Sequence, residues 1–215
     1  MAAPTETINN PSLYRKIVNK FKYGLVLESI RHQLARIGIK IVPYYWVREG
    51  MNPTSEPEIK GITSEYTTAF IEPDDINAIE EEMGSYSREG LLSYFSEDTK
   101  CLGLKYKGDL ASFMFINLAE CEFMSKKMKL ASDEAYLTYM YTLKAYRGKN
   151  LAPYLRYKSY GILKEMGRDK IYSISSLLNS SAIRYKEKLN AKNLKLVLDI
   201  EMFKKIKMRF NLRSY

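Results

Sequence analysis

Histidine and cysteine are almost absent: the 215 residues include one histidine, His32, and two cysteines, Cys101 and Cys121. Zinc sites built on several imidazoles, and Ser-His or Cys-His nucleophilic systems, need a histidine beside the reacting atoms. His32 falls in a predicted basic helix, where a surface or packing role is expected. Two cysteines without metal-ligand spacing do not make a disulfide framework. Any catalysis is therefore expected to use tyrosine, carboxylates or backbone dipoles, without a metal.

Long apolar runs are also missing. No uninterrupted run approaches the roughly 18 residues of a membrane-spanning helix. The first ten residues, MAAPTETINN, lack a basic region followed by an apolar stretch, so no secretory signal is predicted. With so few cysteines, a reduced cytoplasmic location is expected. The composition, 46% hydrophobic and 13% aromatic, is sufficient for one domain with a sizeable core.

The charge is strongly positive, with 34 Lys and Arg against 25 Asp and Glu, a net charge of +9. Such a charge indicates anionic partners, which include nucleic acid, anionic lipid and phosphorylated cofactors. The lysines are dispersed, and no helix-turn-helix, RNP or zinc-finger pattern is present. Nucleic acid is therefore the least favoured of the three.

The N-terminal region has a helical pattern of its own. Leu13, Ile17, Phe21 and Leu25 recur every four residues, which predicts an amphipathic basic helix bent near Gly24. This helix either lies on an anionic membrane or an acidic partner such as a carrier protein, or packs on the rest of the chain.

A short strand and a linker follow this helix. Residues 39–47, IKIVPYYWV, are strand-like, and Pro43 predicts an edge position. Residues 49–61, EGMNPTSEPEIKG, are rich in turn formers and predict a linker. We therefore divide the chain into a helical extension with its linker, residues 1–60, and a domain formed by residues 61–215.

The domain alternates strands and helices. Strands are predicted at residues 62–71, 101–106, 110–117, 136–143, 170–175, 194–202 and 206–212. Helices are predicted to begin near residues 73, 88, 151 and 179. Residues 119–133 are assigned to a loop, and the third helix is expected to turn Leu151, Leu155, Ile162 and Met166 inward. This order predicts an α/β fold, a central mixed sheet flanked by helices.

One strand-to-helix turn, LKAYRGKNLAPYL at residues 143–155, has features of an anion-binding site. Backbone N–H groups at a helix start lack intrahelical acceptors, and the helix dipole favours an anion there. Arg147 and Lys149 add positive charge, and the small residues Gly148 and Ala152 allow a phosphate close to the backbone. An ordinary turn can also contain a glycine and two basic residues. Neither GxGxxG nor GxxxxGK[ST] is present, which argues against Rossmann and Walker sites.

The same turn resembles the pyrophosphate-binding loop of GNAT acetyltransferases, R/Q-x-x-G-x-G/A, which follows the fourth strand of that fold. Arg147 takes the first position and Ala152 the last. Asn150 stands where the family usually has glycine; asparagine adopts positive φ more readily than most residues.

Two further segments strengthen the resemblance. NSSAIRYKEKLNA, residues 179–191, resembles the family helix N-x-x-A-x-x-x-Y-x-K-x-G-F, with Asn179, Ala182, Tyr185 and Leu189 taken as matching positions. ITSEYTTAFIEPDDINAIEEEM resembles the first strand and helix of the family. The resemblance extends from Ile62 to Leu212.

The resemblance implies acetyl-CoA, or another acyl-CoA, as co-substrate and an amine as acceptor. The residues expected to bind the pyrophosphate are Arg147, Gly148, Lys149, Asn150, Leu151 and Ala152. The strand end at Tyr141, Thr142 and Leu143 would pair with the pantetheine arm and polarise the thioester carbonyl. Asn179 would hydrogen-bond the arm from the other side.

The resemblance also implies catalytic roles. Tyr185 would protonate the departing thiolate, since a phenol keeps its proton at neutral pH. Glu72 and Glu134 are the candidates for the base that deprotonates the amine, and the sequence does not choose between them. The expected acceptor is a small amine, with protein lysines and N-termini as alternatives. A donor on an acyl carrier protein, or a non-catalytic module that binds membrane or nucleic acid, stays open.

Overall fold

The computed structural model describes residues 25–50, 55–61, 63–77, 88–123 and 126–215. The helices are α1 (Leu25–Arg36), α2 (Pro73–Asn77), α3 (Arg88–Leu92), α4 (Leu151–Glu165) and α5 (Ser180–Lys188). The strands are β1 (Ile39–Arg48), β2 (Tyr66–Ile71), β3 (Thr99–Tyr106), β4 (Asp109–Asn117), β5 (Glu120–Phe123), β6 (Lys126–Lys129), β7 (Glu134–Thr142), β8 (Lys170–Ser176), β9 (Lys192–Met202) and β10 (Ile206–Ser214). Short 3₁₀ turns occur at Thr63–Glu65 and Lys144–Tyr146.

Eight strands form one mixed sheet in the order β10-β9-β1-β8-β7-β4-β3-β2, and β5 and β6 form a separate hairpin. Neighbouring strands are antiparallel except β7 and β8, which are parallel. Helix α4 packs over β3, β4 and β7. This arrangement confirms the predicted mixed sheet flanked by helices.

Strand β1 lies in the interior of the sheet, between β8 and β9, which corrects the predicted edge position. Proline has no N–H to donate to a neighbouring strand. Pro43 is tolerated because it lies just beyond the end of its partner strand β8, whose last residue, Ser176, pairs with Tyr44. The carbonyl of Pro43 still accepts a hydrogen bond from Leu177 N–H at 3.0 Å. Residues 39–48 thus belong to the sheet rather than to the extension; the division of the chain near residue 60 stays a prediction.

Two hairpins join their strands through turns with positive φ. Lys107 (φ 51°) and Gly108 (φ 98°) connect β3 to β4, and Phe203 (φ 53°) and Lys204 (φ 59°) begin the turn from β9 to β10. Two consecutive residues of positive φ match the right-handed twist of paired strands. Both turns lie in the gaps left between the predicted strands, at residues 107–109 and 203–205.

One local prediction was wrong, and another was confirmed in part. Residues 119–133, assigned to a loop, contain the β5–β6 hairpin. In α4 the predicted Leu151 and Leu155 are buried and half-buried Ile162 packs against the core, but Met166 is exposed and the buried stripe continues to Leu163 instead. Steps of four residues keep side chains on one helical face, and Met166 lies beyond the last full turn of the helix.

Part of the predicted N-terminal helix is present as α1, which ends before Gly38 (φ 85°). Residues 1–24, with the bend predicted near Gly24, lie outside the described residues, as do residues 51–54 of the predicted linker and residues 78–87. Among the helices within the described ranges, none is long and apolar enough to cross a membrane.

Candidate functional site

The parallel strands β7 and β8 pair only at their beginnings. Their ladder runs from Glu134–Lys170 to Leu137–Ser173 and then stops. On the other side of β7 the pairing with β4 shifts, because Thr138 faces Phe115 and Tyr141 faces Phe113. Two residues of β7 therefore oppose one of β4, which is a β-bulge, and Tyr139 has φ 52°. The sheet opens into a cleft beyond this bulge.

The cleft is a cavity of about 370 Å³. Strand β7, strand β8 and the helices α4 and α5 contribute to its wall, with Thr138, Met140, Thr142, Ile174, Ala152, Arg156, Asn179, Tyr185 and Lys186 among the lining residues. It adjoins a larger groove of about 1080 Å³, and the two share Asn179, Ser181 and Tyr185. The groove contains charges of both signs, from Arg31, Arg184 and Lys188 and from Glu56 and Glu58.

The turn between β7 and α4 contains two residues of positive φ. Gly148 has φ 79°, and Asn150 is left-handed, with φ 66° and ψ 26°, immediately before the helix. The prediction that Asn150 takes the positive φ of the usual glycine is confirmed. Its side-chain amide donates to the carbonyl of Glu58 at 2.7 Å, and Lys60 N–H donates to the carbonyl of Lys149 at 3.0 Å. These two bonds fix the turn against residues 58–60.

Arg147 is turned back onto the end of β7. Its Nε donates to the carbonyl of Thr142 at 3.1 Å, its Nη2 donates to the hydroxyl of Tyr141 at 3.2 Å, and the guanidinium lies 5.5 Å from the Tyr141 ring centroid. Lys149 Nζ lies 5.2 Å from the centroid of Tyr146. Both cations thus stay beside the turn, held by aromatic rings.

The three residues predicted to pair with the pantetheine arm have different surroundings. Thr142 lines the cleft. Tyr141 pairs with Phe113 of β4, and the N–H of buried Leu143 donates to the carbonyl of Ala111 at 3.0 Å. Residues 138–140, at the bulge, line the cleft instead. A bulge depends on the register of two strands, so the local sequence pattern gave no signal for it.

Asn179 lies at the mouth of the cleft and caps α5. Its Oδ1 accepts hydrogen bonds from Ala182 N–H at 3.0 Å and from Ser181 Oγ at 2.9 Å. Asn179 is thus the N-cap of the helix predicted to begin near residue 179, and this role uses its side-chain oxygen rather than its amide NH₂ group.

A buried ionic cluster lies under the cleft, formed by Glu49, Arg156 and Lys186. Each side chain is at most 4% exposed. Glu49 Oε1 lies 3.4 Å from Arg156 Nη2 and 3.6 Å from Lys186 Nζ. Its Oε2 accepts from Tyr160 Oη at 2.5 Å, and its Oε1 accepts from Ser173 Oγ. No local sequence pattern predicts this cluster, because its members come from distant parts of the chain.

Electrostatics within the cluster shift two pKa values. Burial acts to raise the pKa of Glu49, but the charges of Arg156 and Lys186 outweigh it, so that pKa lies below its ordinary value. Burial and the neighbouring Arg156 lower the pKa of Lys186 to about 7. The ammonium donors of Lys186 point to Ser173 Oγ at 2.6 Å, Ser175 Oγ at 2.8 Å and the Ile174 carbonyl at 3.1 Å.

Comparison with solved structures identifies the fold. An acetyltransferase assigned to the GNAT family, from Novosphingobium aromaticivorans, matches with a TM-score of 0.50 at 19% identity, over 76% of this chain and 66% of that one. A GCN5-related N-acetyltransferase from Kribbella flavida gives 0.53 at 13% identity, over 79% and 62%. The ribosomal-protein-S18-alanine N-acetyltransferase from Escherichia coli gives 0.50 at 16% identity, over 69% and 96%.

The chain has the GNAT fold. The expectation from the sequence motifs is confirmed at this level. No protein-family model matches the sequence, and no curated protein is significantly similar to it. The chain spans just under two thirds of the length of the Novosphingobium and Kribbella proteins. At these identities the likeness establishes the fold alone.

The GNAT pattern also allows a closer count along α5. Counted from Ala182, the tyrosine of N-x-x-A-x-x-x-Y falls on Lys186, so Tyr185 stands one residue earlier than the pattern requires. Both residues line the cleft. Burial raises the pKa of Tyr185, while the charge of Arg156 opposes the rise. The role of Tyr185 stays a prediction, supported by its position in the cleft rather than by register.

The two candidate bases lie away from the cleft wall. Glu134 begins β7, at the paired end of the strands, and its carboxylate accepts from Ala131 N–H at 3.0 Å and from Tyr172 Oη at 3.4 Å. Glu72 is exposed after β2, the outermost strand, three strands from β7 in the sheet. Neither is among the residues that line the cleft. Among the described residues, no three histidine, cysteine or carboxylate side chains cluster as metal ligands would.

Proposed function

We propose that the chain is an N-acyltransferase that transfers an acetyl or longer acyl group from coenzyme A to the primary amine of a small molecule. The observation that carries this proposal is the cleft between β7 and β8, which begins beside a left-handed turn at the N-terminus of α4. An elongated thioester with an anionic end fits such a cleft, with its phosphates at the turn.

The turn would hold the pyrophosphate through backbone N–H groups of residues 147–152. The helix dipole of α4 and the charges of Arg147 and Lys149 favour an anion there. Thr138–Thr142 and the amide NH₂ of Asn179 would contact the pantetheine arm from opposite walls of the cleft. The cleft and the adjoining groove, about 370 and 1080 Å³, have room for the acyl arm and the nucleotide.

The transfer would occur in a ternary complex by direct attack. The amine nitrogen forms a bond to the thioester carbonyl carbon, and the carbon–sulfur bond then breaks. The thiolate takes a proton from Tyr185, and the nitrogen loses one proton to a base. Glu72 and Glu134 stay the proposed bases. Because neither lines the cleft, either one would accept the proton through intervening water molecules.

Lys186 is a second candidate for the proton donor, because its lowered pKa of about 7 suits donation at neutral pH. Its three hydrogen bonds to Ser173, Ile174 and Ser175 occupy all three ammonium donors, however. Tyr185 is therefore favoured, and Lys186 would act by balancing the charge of Glu49.

Ligand-induced stabilisation tests the proposal. We expect acetyl-CoA at a hundred times its dissociation constant to stabilise the protein by about 2.7 kcal/mol, which raises the melting temperature by about 5–11 °C. Free CoA and a long-chain acyl-CoA, measured alongside, report which donor is preferred.

Arg147→Glu should abolish the shift because it places a negative charge at the turn. Lys129→Glu is the matched control, with the same change of charge at an exposed residue of the β5–β6 hairpin. If none of the three ligands shifts the melting temperature, acyl-CoA is not the donor. An acyl carrier protein would then be tested by the same measurement.

A further inference from the structure

A second cavity, of about 240 Å³, lies beneath the β5–β6 hairpin. Tyr44 and Trp46 of β1 line it from the sheet, and Phe123 and Met128 line it from the hairpin. On β8, Ile174 lines this cavity, while its neighbours Ser173 and Ser175 bond Lys186 of α5. Side chains alternate between the faces of a strand. The cavity therefore lies on the face of the sheet opposite α5.

This cavity meets the cleft. Phe123 and Ile174 line both spaces. The cleft passes between β7 and β8 at the position where these strands have separated, so it connects the two faces of the sheet. A molecule in the cavity would therefore reach the cleft from one face of the sheet, and a molecule bound at the turn would reach it from the opposite face.

The wall of the cavity is mainly aromatic and aliphatic. The rings of Tyr44 and Phe123 meet edge to face at 4.6 Å, and the indole of Trp46 stacks on Tyr136 at 5.7 Å and on Tyr172 at 5.8 Å. These contacts fix the aromatic side chains in place. A dry cavity of about 150 Å³ accommodates benzene, so about 240 Å³ accommodates one ring with a short substituent.

The charged side chains of the wall are two cations, Lys195 and Arg209. Arg209 pairs with buried Asp199 through two contacts of 2.6 Å, and Tyr44 Oη donates to the same carboxylate at 3.3 Å. Arg209 and Asp199 thus offset each other's charge, and exposed Lys195 leaves one uncompensated positive charge at the rim. Like charges repel, so this wall disfavours a polyamine and favours an amine in its uncharged form.

We propose that this cavity is the acceptor site, and that it takes a compact primary amine with a single apolar ring, bound in its uncharged form. The proposal rests on the acyltransferase function proposed above. It narrows the acceptor class, because polyamines carry several charges and amino sugars require many hydrogen-bonding partners in the wall.

Trp46 offers a direct binding signal, since it is the single tryptophan of the chain. Aniline, a single-ring amine that is uncharged at neutral pH, is titrated into the protein both alone and with CoA added, with free tryptophan as the inner-filter control. Spermidine and glucosamine are titrated in parallel. We expect a saturable change of fluorescence with aniline alone.

Met128→Arg should weaken aniline binding at least tenfold, because it places a long cationic side chain in the cavity. Lys129→Arg is the matched control, which puts arginine on the next residue of β6, where the side chain is exposed. Equal aniline binding by Met128→Arg and the wild type, no response to aniline, or equally tight binding of spermidine would each overturn the proposal.

The acyl-CoA melting shift, measured on the same variants, separates the two proposals. A normal shift with no aniline response contradicts the acceptor site and leaves the acyltransferase function standing. Saturable aniline binding in a protein that does not respond to acyl-CoA contradicts the acyltransferase function, while it identifies the cavity as a ring-binding site.

Discussion

Three charged side chains are buried under the cleft, and burial of these charges is tolerated because oppositely charged groups lie beside one another. Glu49, Arg156 and Lys186 are all buried, and removal of one partner from such a group leaves an uncompensated charge. Burial and Arg156 together lower the pKa of Lys186 to about 7, well below that of an exposed lysine. The pKa of Lys186 in the folded protein therefore lies below its value in the unfolded chain.

Lys186 should make stability depend on pH. Between about pH 7 and the ordinary lysine pKa, the unfolded chain binds one proton that the folded protein does not. Stability should therefore rise with pH in this window, by up to about 1.4 kcal/mol per pH unit from this group. Denaturant unfolding at several pH values measures the slope.

Lys186→Met should lose this rise above pH 7, while Lys188→Met, an exposed control two residues further on, should keep it. The same slope in wild type and Lys186→Met would contradict the lowered pKa.

Tyr185→Phe tests the proposed proton donor. General acid catalysis contributes about 10²- to 10⁴-fold, so turnover should fall by at least about 10²-fold while the melting shift with acyl-CoA stays unchanged. Tyr157→Phe is the control, because Tyr157 packs against the core and is not among the residues that line the cleft. Full turnover by Tyr185→Phe would leave Lys186 as the remaining candidate donor.

At the scale of single elements, strand β3 contains a glycine position that has no room for a side chain. Gly103 lies in β3, opposite Ala69 of β2 and Phe113 of β4. A Cβ at this position would lie 2.3 Å from Cγ1 of Ile71, which is itself buried. Gly161 of α4 differs, because a Cβ there meets nothing within 4 Å.

Alanine substitutions at these two glycines should have opposite effects. Gly103→Ala should destabilise the protein by about 1–3 kcal/mol because Ile71 must move. Gly161→Ala should stabilise it by about 0.5–1 kcal/mol because alanine is the better helix former. Chemical denaturation of both variants measures the difference, and a Gly103→Ala protein as stable as Gly161→Ala would contradict the close contact.

The elements that the sequence predicted well are those with strong local signals. The break between two strands at Lys107–Gly108 and the helix starts near Asn150 and Asn179 all depend on neighbouring residues, and the predicted element bounds agree with all three. The interior position of β1 and the bulge at Tyr139 depend on pairing with distant strands. Local pattern carries no such information, so these features were missed.

At the scale of the whole molecule, the sequence predicted the GNAT fold through three motifs in order, each of moderate specificity. Among the residues predicted for the site, Thr142, Ala152, Asn179 and Tyr185 line the cleft and Asn150 lines the adjoining groove, while their roles stay predictions. Glu72 and Glu134, chosen as strand-end carboxylates, do not line it. Which residues meet inside the sheet is decided by tertiary packing, which also determines the buried cluster and the second cavity.

The interior position of β1 determines when the sheet can form during synthesis of the chain. This strand is complete at Arg48, but its partners β8 and β9 begin only at Lys170 and Lys192. At about 5–20 residues per second, a ribosome needs on the order of ten seconds to span that interval. During that time the backbone N–H and C=O groups on both edges of β1 lack their native partners, and such unpaired strand edges promote aggregation. The sheet is therefore completed well after β1 has been synthesised, and the nascent chain is an expected client of chaperones.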